Sequence, residues 1–351
     1  MTGAAVDPKA AGAAALDAAR DGRVDVGKKV AFGEADKDKK AGDKERRWRM
    51  PSRYQVAEKL GQGSYGCVCE AHDAEQGCKV AIKRTDHLFD DAMDARRTLR
   101  EVAILSLLRH DNVVRLLDVF APGDGLSDFN ELYVVMELCD SDLKKLCRSA
   151  TWLSALHLRR MLWTLLCGLK YVHSAGIYHR DLKPANCLVN QGCDVKICDF
   201  GLARAVGGEG SSKEEVNLLA RQQQPARHLT GHVVTRWYRA PELILLQEEY
   251  TELIDMWSVG CIYAELLGMY EGIDPRDRGP LFKGTACFPL SPHGKGQELA
   301  PPAAGAYRHA KEDQLEMIFN VIGTPTDVEA SPGGQLTPGL QKQGEDLQEV
   351  G

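Results

Sequence analysis

The first half of the chain contains short apolar runs that glycines separate. From Tyr54 the runs YQVAEKL, GCVCEAH and CKVAIKR follow one another, and LYVVMEL comes later at 132–138. Runs of this length, with alternating positions and glycines between them, predict antiparallel β-strands. The stretch from Asp91 to Arg109 predicts a helix. Its apolar stripe has a spacing of about three residues and consists of Leu99, Val102, Leu105 and Leu108.

The second half of the chain has the longer apolar period of helices. One strongly periodic stretch ends at His173-Ser174-Ala175-Gly176, where the glycine predicts the helix end. Its apolar positions are Leu158, Leu162, Leu165, Leu166, Leu169 and Val172. A second apolar helix is predicted from about Asp255 to Leu267. Strands mainly precede helices, which predicts an α+β fold rather than alternating βαβ units.

Four stretches fit neither pattern. Residues 1–50, which end in KDKKAGDKERRWRM, are predicted to be a disordered arm. Its basic end is either a nuclear-import or docking patch or a solvated tail. Residues 205–229 predict a mobile loop, and residues 290–308 predict a Pro/Gly-rich insertion. Residues 326–351 predict a disordered tail, and no internal repeat is visible.

Charge and cysteine content restrict the class of protein. Lys and Arg total 44 against 50 Asp and Glu, a net charge of −6, so no overall positive field attracts nucleic acid. The 11 cysteines include no CxxC pair. No N-terminal signal segment is visible, and no apolar run reaches the roughly 18 residues of a membrane span. We expect a reduced protein of the cytoplasm or the nucleus, or of both, that binds neither nucleic acid nor membrane.

The glycine-rich stretch Gly61-Gln62-Gly63-Ser64-Tyr65-Gly66 matches GxGxxG, a pattern that dinucleotide-binding folds also use. In those folds a helix follows the glycines directly. Here Cys67 begins another alternating run, so the order is strand, glycine turn, strand. This order predicts a flap whose backbone N–H groups approach phosphate oxygens.

A lysine ends the apolar run Val80-Ala81-Ile82-Lys83, 17 residues after Gly66. A buried ammonium group needs an anionic partner. Glu101 is the expected carboxylate, because it lies in the helix that is predicted to pack behind this strand. A phosphate group would complete the environment. The alternative is a lysine that extends into solvent.

Three further motifs follow in order. His179-Arg180-Asp181-Leu182-Lys183-Pro184-Ala185-Asn186 comes first, then Asp199-Phe200-Gly201, then Ala240-Pro241-Glu242. Together with the glycine flap, the strand lysine and the helix glutamate, they resemble the eukaryotic protein kinases. The resemblance implies a bilobal fold. A small antiparallel β N-lobe with one main helix would occupy residues 51–137, and a mostly helical C-lobe would occupy residues 138–325.

The resemblance also implies ATP and Mg²⁺ as cofactors and a role for each polar residue. Lys83 would bind the α- and β-phosphates, and Asn186 and Asp199 would bind magnesium ions. Asp181 would accept or orient the proton of a substrate hydroxyl, and Lys183, typical of serine/threonine kinases, would act on the γ-phosphate. The implied nucleotide-binding residues are Leu60, Gly61, Gln62, Gly63, Ser64, Tyr65, Gly66, Cys67, Val68, Ala81, Lys83, Met136, Glu137, Cys139 and Leu188.

The stretch from Thr230-Gly231-His232 to Glu242 resembles the activation lip of the MAP kinases, a branch of the CMGC group. The runs RTLRE at 97–101 and DQLEMIFNVIGTP at 313–325 strengthen that resemblance. The lip of the family is Thr-x-Tyr, whereas this chain has His232 at the third position. A Thr-x-His lip with FPLSP, here at 288–292, resembles the atypical MAP kinases of apicomplexans and other alveolates.

The lip predicts how the protein is regulated. A phosphate on Thr230 adds nearly two negative charges, and the resemblance implies that arginines hold it. These are Arg100, Arg180 and Arg204. Arg236 and Arg239 would meet the phosphotyrosine of the family, which His232 cannot replace. We therefore expect control through Thr230 alone, by an upstream kinase or by autophosphorylation, and protein substrates with Ser/Thr-Pro sites.

The resemblance ends near Pro325. Kinases of this family continue into further helices and use a late arginine to pair with the glutamate that Glu242 matches, whereas no Arg follows Arg308 here. We therefore expect a truncated chain whose C-lobe lacks its last helices. An active kinase is the preferred prediction. The alternatives are a nucleotide-binding pseudokinase or scaffold that the missing helices make inactive, and a fragment that does not fold.

Overall fold

Five antiparallel strands form the N-terminal part of the protein. The computed structural model describes residues 48–63, 66–122, 129–205, 236–245, 247, 250–287 and 313–324. The strands are β1 (Tyr54–Gly63), β2 (Gly66–Asp73), β3 (Cys78–Asp86), β4 (Leu116–Phe120) and β5 (Glu131–Glu137). Their order in the sheet is β1-β2-β3-β5-β4, with every neighbouring pair antiparallel. The predicted strands are confirmed.

At the central strand β3, one face of the sheet packs on a core and the other face lines a cleft. Val80 and Ile82 are fully buried in a core cluster with Tyr133. Because side chains alternate along a strand, Ala81 and Lys83 lie on the opposite face, where both are half-buried. The sheet therefore presents its lysine to the cleft.

The segment before β1 belongs to this folded part. The Trp48 ring lies 6.0 Å from the Tyr133 ring, and the Arg49 guanidinium is 3.0 Å from the Glu131 carboxylate. Met50 is buried. The arm predicted over 1–50 therefore does not include Trp48 to Met50, because their side chains cover the outer face of the sheet. Residues 1–47 lie outside the described residues.

Helix α1 (Ala92–Leu107) packs beside the sheet on part of the predicted stripe, since Leu105 and Leu108 are buried. Asp91 caps its N-terminus, and the Asp91 side chain accepts a 2.7 Å hydrogen bond from the Met93 N–H. The buried residues of the helix are Thr98, Glu101, Ile104 and Leu105. Leu99 is 56% exposed, so its assignment to the buried stripe was wrong. A carboxylate occupies the buried face, and counting apolar residues cannot detect it.

The C-terminal part is mainly helical, as predicted, and the α+β arrangement is confirmed. Its helices are α2 (Leu143–Arg148), α3 (Ala155–Ser174), α4 (Pro241–Ile244), α5 (Leu253–Leu267) and α6 (Gln314–Ile322). Its short strands are β6 (Ser141–Asp142), β7 (Ile177–Tyr178), β8 (Cys187–Val189), β9 (Val195–Ile197) and β10 (Arg204–Ala205). Helix α3 ends two residues before Gly176, which adopts φ +69°, so the predicted helix end is confirmed.

Helix α3 lies at the centre of the larger core. Leu165 and Leu169 of α3, Ile197 of β9 and Ile262 of α5 are all buried in one cluster. No helix among the described residues is both long and apolar enough to cross a bilayer. Strand β5 ends at Glu137, the last residue of the predicted N-lobe. Most of the predicted loop at 205–229, the insertion at 290–308 and the tail at 326–351 lie outside the described residues.

Two helical glycines provide a matched test of this packing. A Cβ atom on Gly168 of α3 would lie 2.5 Å from the Asn112 carbonyl oxygen, whereas a Cβ on Gly260 of α5 would meet no described atom within 4 Å. We expect Gly168→Ala to lower the free energy of unfolding by ~1–3 kcal/mol. Gly260→Ala is expected to raise it by up to ~1 kcal/mol through helix propensity. Urea denaturation measures both, and equal shifts would contradict the close contact between α3 and Asn112.

Candidate active site

The loop between β7 and β8 carries a carboxylate that two neighbours orient. The Lys183 Nζ lies 2.6 Å from the Asp181 Oδ2. The Asn186 Nδ2 donates to the Asp181 carbonyl at 2.9 Å and approaches its Oδ2 at 3.2 Å. Asn186 belongs to a short 3₁₀ turn, Pro184–Asn186, which begins the return into β8. The three side chains that were predicted to act together on this loop lie together.

A buried aspartate of α5 holds the start of this loop, and the sequence analysis missed its role. Asp255 has no solvent exposure. Its Oδ2 accepts the His179 backbone N–H at 2.8 Å, and its Oδ1 accepts the Arg180 backbone N–H at 2.8 Å. The His173 Nε2 lies 2.9 Å from the same carboxylate. An acidic residue inside a strongly apolar helix was the available signal, because buried charges require partners.

His179 links this loop to the next motif. Its Nε2 lies 2.9 Å from the Cys198 carbonyl oxygen, and its ring meets the Phe200 ring edge-on at 5.0 Å. Asp199, which lies between Cys198 and Phe200 in the chain, adopts φ +65°, and Arg180 adopts φ +69°. Two non-glycine residues in the left-handed region at one site indicate that the surrounding contacts fix the backbone.

The cleft face of β3 meets α1 through a buried ion pair. The Lys83 Nζ lies 2.7 Å from the Glu101 Oε2, so the predicted contact is confirmed. Burial acts to lower the pKa of Lys83, but the carboxylates of Glu101 and Asp199 outweigh it and raise that pKa above its usual value. Burial likewise acts to raise the pKa of Asp199, but Lys83 and Lys183 leave that pKa below its usual value. Lys83 therefore remains a cation and Asp199 an anion at neutral pH.

The donor set suits a hard divalent cation. Asp199 offers a charged carboxylate, and the Asn186 amide donates through its nitrogen, which leaves its oxygen available to a cation. Within the described ranges, no three His, Cys, Asp or Glu residues gather closely enough to hold a metal by themselves. Magnesium fits this pattern, because it usually takes one or two carboxylates and completes its shell with water and phosphate oxygens.

A half-buried apolar surface lies between the sheet and the loops. Leu60, Val68, Ala81, Met136 and Leu188 are each half-buried there. In the sheet, Ala81 pairs with Met136, and Val68 pairs with Lys83. These positions offer apolar side chains that could contact a flat ring.

The segment at the end of β5, beside this surface, already uses one of its backbone groups in a hydrogen bond within the protein. The Glu137 N–H donates to the Arg115 carbonyl at 3.1 Å, so this N–H is engaged within the protein. The Glu137 side chain lies 3.1 Å from the Lys196 Nζ and therefore ties this connector to β9. Cys139 is half-buried, and burial raises the pKa of its thiol to about 11.

The glycine flap is described in part. Gly61 and Gln62 are exposed, and Gly63 pairs with Gly66 at the tip. Gly66 adopts φ +137°, and a Cβ atom there would lie 1.9 Å from the Arg84 carbonyl oxygen, so this position requires glycine. The Cys67 thiol lies 3.5 Å from the Gly61 carbonyl oxygen beneath the flap. Ser64 and Tyr65 lie outside the described residues.

Three arginines gather on the other side of the loop. The Arg204 and Arg180 guanidinium groups each lie 5.5 Å from the centre of the Tyr250 ring. The Arg100 Nη1 donates to the Gly201 carbonyl at 2.5 Å. Burial lowers the pKa values of Arg100 and Arg180, and the repulsion between the two cations lowers that of Arg100 further. Among the residues that the structure describes, none of the three forms an ion pair. The positive charge of the cluster could therefore be balanced by an anion.

The other two predicted regulatory arginines have different surroundings. Arg236 donates to the Thr285 carbonyl oxygen. Burial lowers the pKa of Arg239, which lies near Asp181. Glu242 forms no ion pair with a described residue. Thr230 and His232 lie outside the described residues.

Comparisons with known proteins agree on one family. The protein kinase domain matches residues 54–276. Mitogen-activated protein kinase 4 of Oryza sativa subsp. japonica is 42% identical over 282 residues, which are 80% of this chain and 63% of that protein. Mitogen-activated protein kinase homolog NTF3 of Nicotiana tabacum is 45% identical over 277 residues, 79% of this chain and 61% of that protein.

Mitogen-activated protein kinase 2 of Arabidopsis thaliana is also 45% identical over 277 residues, 79% of this chain and 60% of that protein. The chain therefore spans less than two thirds of the length of these relatives.

The buried ion pair makes a measurable contribution to stability. We expect Glu101→Gln to lower the free energy of unfolding by about 2 kcal/mol. This is less than the ~3–5 kcal/mol for a fully unpaired buried charge, because Asp199 still attracts Lys83. Glu70→Gln is the matched control, since Glu70 pairs with Lys79 at 2.7 Å and Lys79 is 67% exposed. Its expected cost is below ~1 kcal/mol. Equal costs in chemical denaturation would contradict the burial of the Lys83 pair.

Proposed function

Since the chain belongs to the protein kinase family and its relatives are mitogen-activated protein kinases, we propose that it is a serine/threonine protein kinase of the MAP kinase type. It transfers the γ-phosphoryl group of ATP to Ser or Thr hydroxyls of proteins. The observation that carries the proposal is the orientation of Asp181, whose carboxylate is within 2.6 Å of Lys183 and 3.2 Å of Asn186. An oriented carboxylate at this place accepts or aims the proton of an incoming hydroxyl.

The surrounding residues suit the positioning that phosphoryl transfer requires. Bound Mg-ATP supplies the transferable phosphoryl group and the cations that neutralise its oxygens. Lys83 holds phosphate oxygens, and Asn186 and Asp199 hold the metal. Lys183 lies beside Asp181 and provides positive charge toward the γ-phosphate. The half-buried apolar surface that includes Val68 receives the adenine ring and excludes water.

Regulation through Thr230 is part of the proposal. The uncompensated cluster of Arg100, Arg180 and Arg204 supports it, because a phosphate accepts several charge-assisted hydrogen bonds from arginine. The phosphate comes from an upstream kinase or from autophosphorylation. The sequence Thr230-Gly231-His232 supports a lip of the alveolate type without a second phosphate. The substrates are proteins with Ser/Thr-Pro sites, and the protein acts in the cytoplasm, the nucleus or both. A nucleotide-binding scaffold is not favoured, because Lys83, Asp181 and Asp199 are all present.

The catalytic aspartate provides the direct test. We expect Asp181→Asn to reduce the transfer of labelled phosphate from Mg-ATP to a Ser-Pro peptide about 10²–10⁴-fold, the usual contribution of a positioned acid or base. Asp194→Asn is the control, because Asp194 forms a surface pair with Arg160 at 2.9 Å and lies outside the site. Its rate is expected within about twofold of wild type. Equal incorporation by wild type and Asp181→Asn would refute the proposed function.

The lip provides a second test. We expect Thr230→Ala to lower peptide phosphorylation roughly tenfold or more, because the lost hydrogen bonds to arginine are each worth ~1.5–3 kcal/mol. Ser212→Ala, in the same sequence stretch, is expected to leave the rate unchanged. Mass spectrometry of active wild-type protein is expected to find phosphate on Thr230. Full activity with an unmodified Thr230 would exclude this switch.

A further inference from the structure

Gln314 is a fully buried amide at the first position of α6, and the site described above gives it no role. Its Oε1 accepts the Gly284 N–H at 3.0 Å, and its Nε2 donates to the Phe282 carbonyl at 3.2 Å. Its own backbone N–H donates to the Ala286 carbonyl at 3.0 Å. Gln314 therefore forms hydrogen bonds with three residues of the segment 282–286. We call this segment the bridging segment. A buried amide with both ends paired specifies one position of the chain it binds.

The bridging segment lies in close contact with α6. A Cβ atom on Gly284 would lie 2.5 Å from the Gln314 Oε1 and 2.7 Å from the Gln314 Cα. Any side chain at Gly284 would push the segment away from the helix. The absence of a side chain at Gly284 lets the backbone approach Gln314 closely. This close packing restricts movement of the bridging segment relative to α6.

The other side of the bridging segment holds the residues that follow the lip. The Trp237 Nε1 donates to the Gly284 carbonyl at 2.9 Å, and Arg236 donates to the Thr285 carbonyl. Tyr238 is held separately, because its hydroxyl donates to Glu265 of α5 at 2.6 Å and its carbonyl accepts from Ser258 at 2.7 Å. The positions of Arg236 and Trp237 thus depend on the bridging segment, while the next residue depends on α5.

The residues that directly follow Arg236 and Trp237 border the place where a substrate hydroxyl arrives. Tyr238 and Arg239 line a small cavity together with Arg180, Asp181 and Leu182. A Ser or Thr whose hydroxyl reaches Asp181 brings neighbouring residues of its own chain against this border. The placement of residues 236–239 therefore influences which neighbour of the acceptor residue is accepted.

We propose that Gln314 is a positioning residue for substrate selection. Through the bridging segment it fixes Arg236 and Trp237, and with them the preference for proline after the acceptor Ser or Thr. This inference rests on the proposed kinase function and adds to it a residue that determines specificity without touching the substrate.

The test compares two peptides that differ only in the residue after serine, proline in one and alanine in the other. Gln314→Met keeps the side-chain length and removes both hydrogen bonds of the side-chain amide, those to Gly284 and Phe282. We expect the ratio of kcat/KM for the proline peptide to that for the alanine peptide to fall at least fivefold, mainly through a higher KM for the proline peptide. Trp237→Phe removes the indole N–H together with one ring of the side chain, and it is expected to lower the ratio in the same direction. It provides a second variant in case Gln314→Met does not fold.

Thr164→Val is the matched control. Thr164 on α3 is also buried, and its hydroxyl accepts a 3.0 Å hydrogen bond from the Val195 backbone N–H, remote from the bridging segment. It therefore loses a comparable buried bond, and its peptide ratio is expected within twofold of wild type. A folded, active Gln314→Met with the wild-type ratio would overturn the inference.

A structural measurement separates this inference from the proposed function. Wild-type protein that phosphorylates neither peptide would count against the kinase function and against the selectivity assigned to Gln314. In that case amide hydrogen exchange over residues 236–240 still tests the positional claim. Faster exchange there in Gln314→Met than in Thr164→Val supports it, and equal exchange in the two variants overturns it.

Discussion

The buried carboxylate of Asp255 is the constraint on which the site depends. It lies in the apolar helix α5 without solvent, so its charge requires donors from the protein. Two consecutive backbone N–H groups, those of His179 and Arg180, provide them at 2.8 Å each. Hydrogen bonds to a charged group are worth ~1.5–3 kcal/mol each, which is enough to offset the ~1–3 kcal/mol of a non-glycine residue in the left-handed region. Arg180 can therefore remain at φ +69°, and Asp181 follows in one orientation.

Charges on the two sides of the loop between β7 and β8 are organised differently. In the cleft, each cation has an anion: Lys83 has Glu101, and Lys183 has Asp181. Beyond the loop, the arginine cluster contacts an aromatic ring and a backbone carbonyl, and none of its guanidinium groups forms an ion pair with a described carboxylate. Arg100 and Glu101 are adjacent on α1, yet one contacts Gly201 and the other contacts Lys83. An anion bound at the cluster would therefore contact α1 through Arg100. The next residue of the same helix, Glu101, pairs with Lys83 in the cleft.

Sequence reasoning succeeded where one local rule decided the outcome. The strand order around the glycines, the end of α3 at Ser174 and the Lys83–Glu101 contact all follow from periodicity, capping or the cost of a buried charge. It failed where tertiary contacts determined which residues are buried. Leu99 has the right spacing but is exposed, because the buried face of α1 carries Glu101. Trp48 and Met50 follow a charged run, yet they cover the sheet.

Asp255 was missed for a related reason. It lies 76 residues after His179 in the chain, and its partners are backbone N–H groups, which leave no trace in residue types. Gln314 is similar, since it contacts the backbone of the bridging segment rather than side chains. Side-chain pairs with opposite charge can be anticipated from residue types, whereas a side chain that holds distant backbone becomes visible only in three dimensions.

The two groups of arginines explain why a single lip phosphate suffices in the proposed mechanism. Arg180 and Arg204 face the Tyr250 ring, a weak partner that a dianion readily outcompetes. Arg236 already donates to a backbone carbonyl and helps to hold Trp237 beside the bridging segment. A second phosphate that recruited Arg236 would have to break this contact and disturb the border of the substrate site. A lip with histidine at that place leaves Arg236 in its structural role.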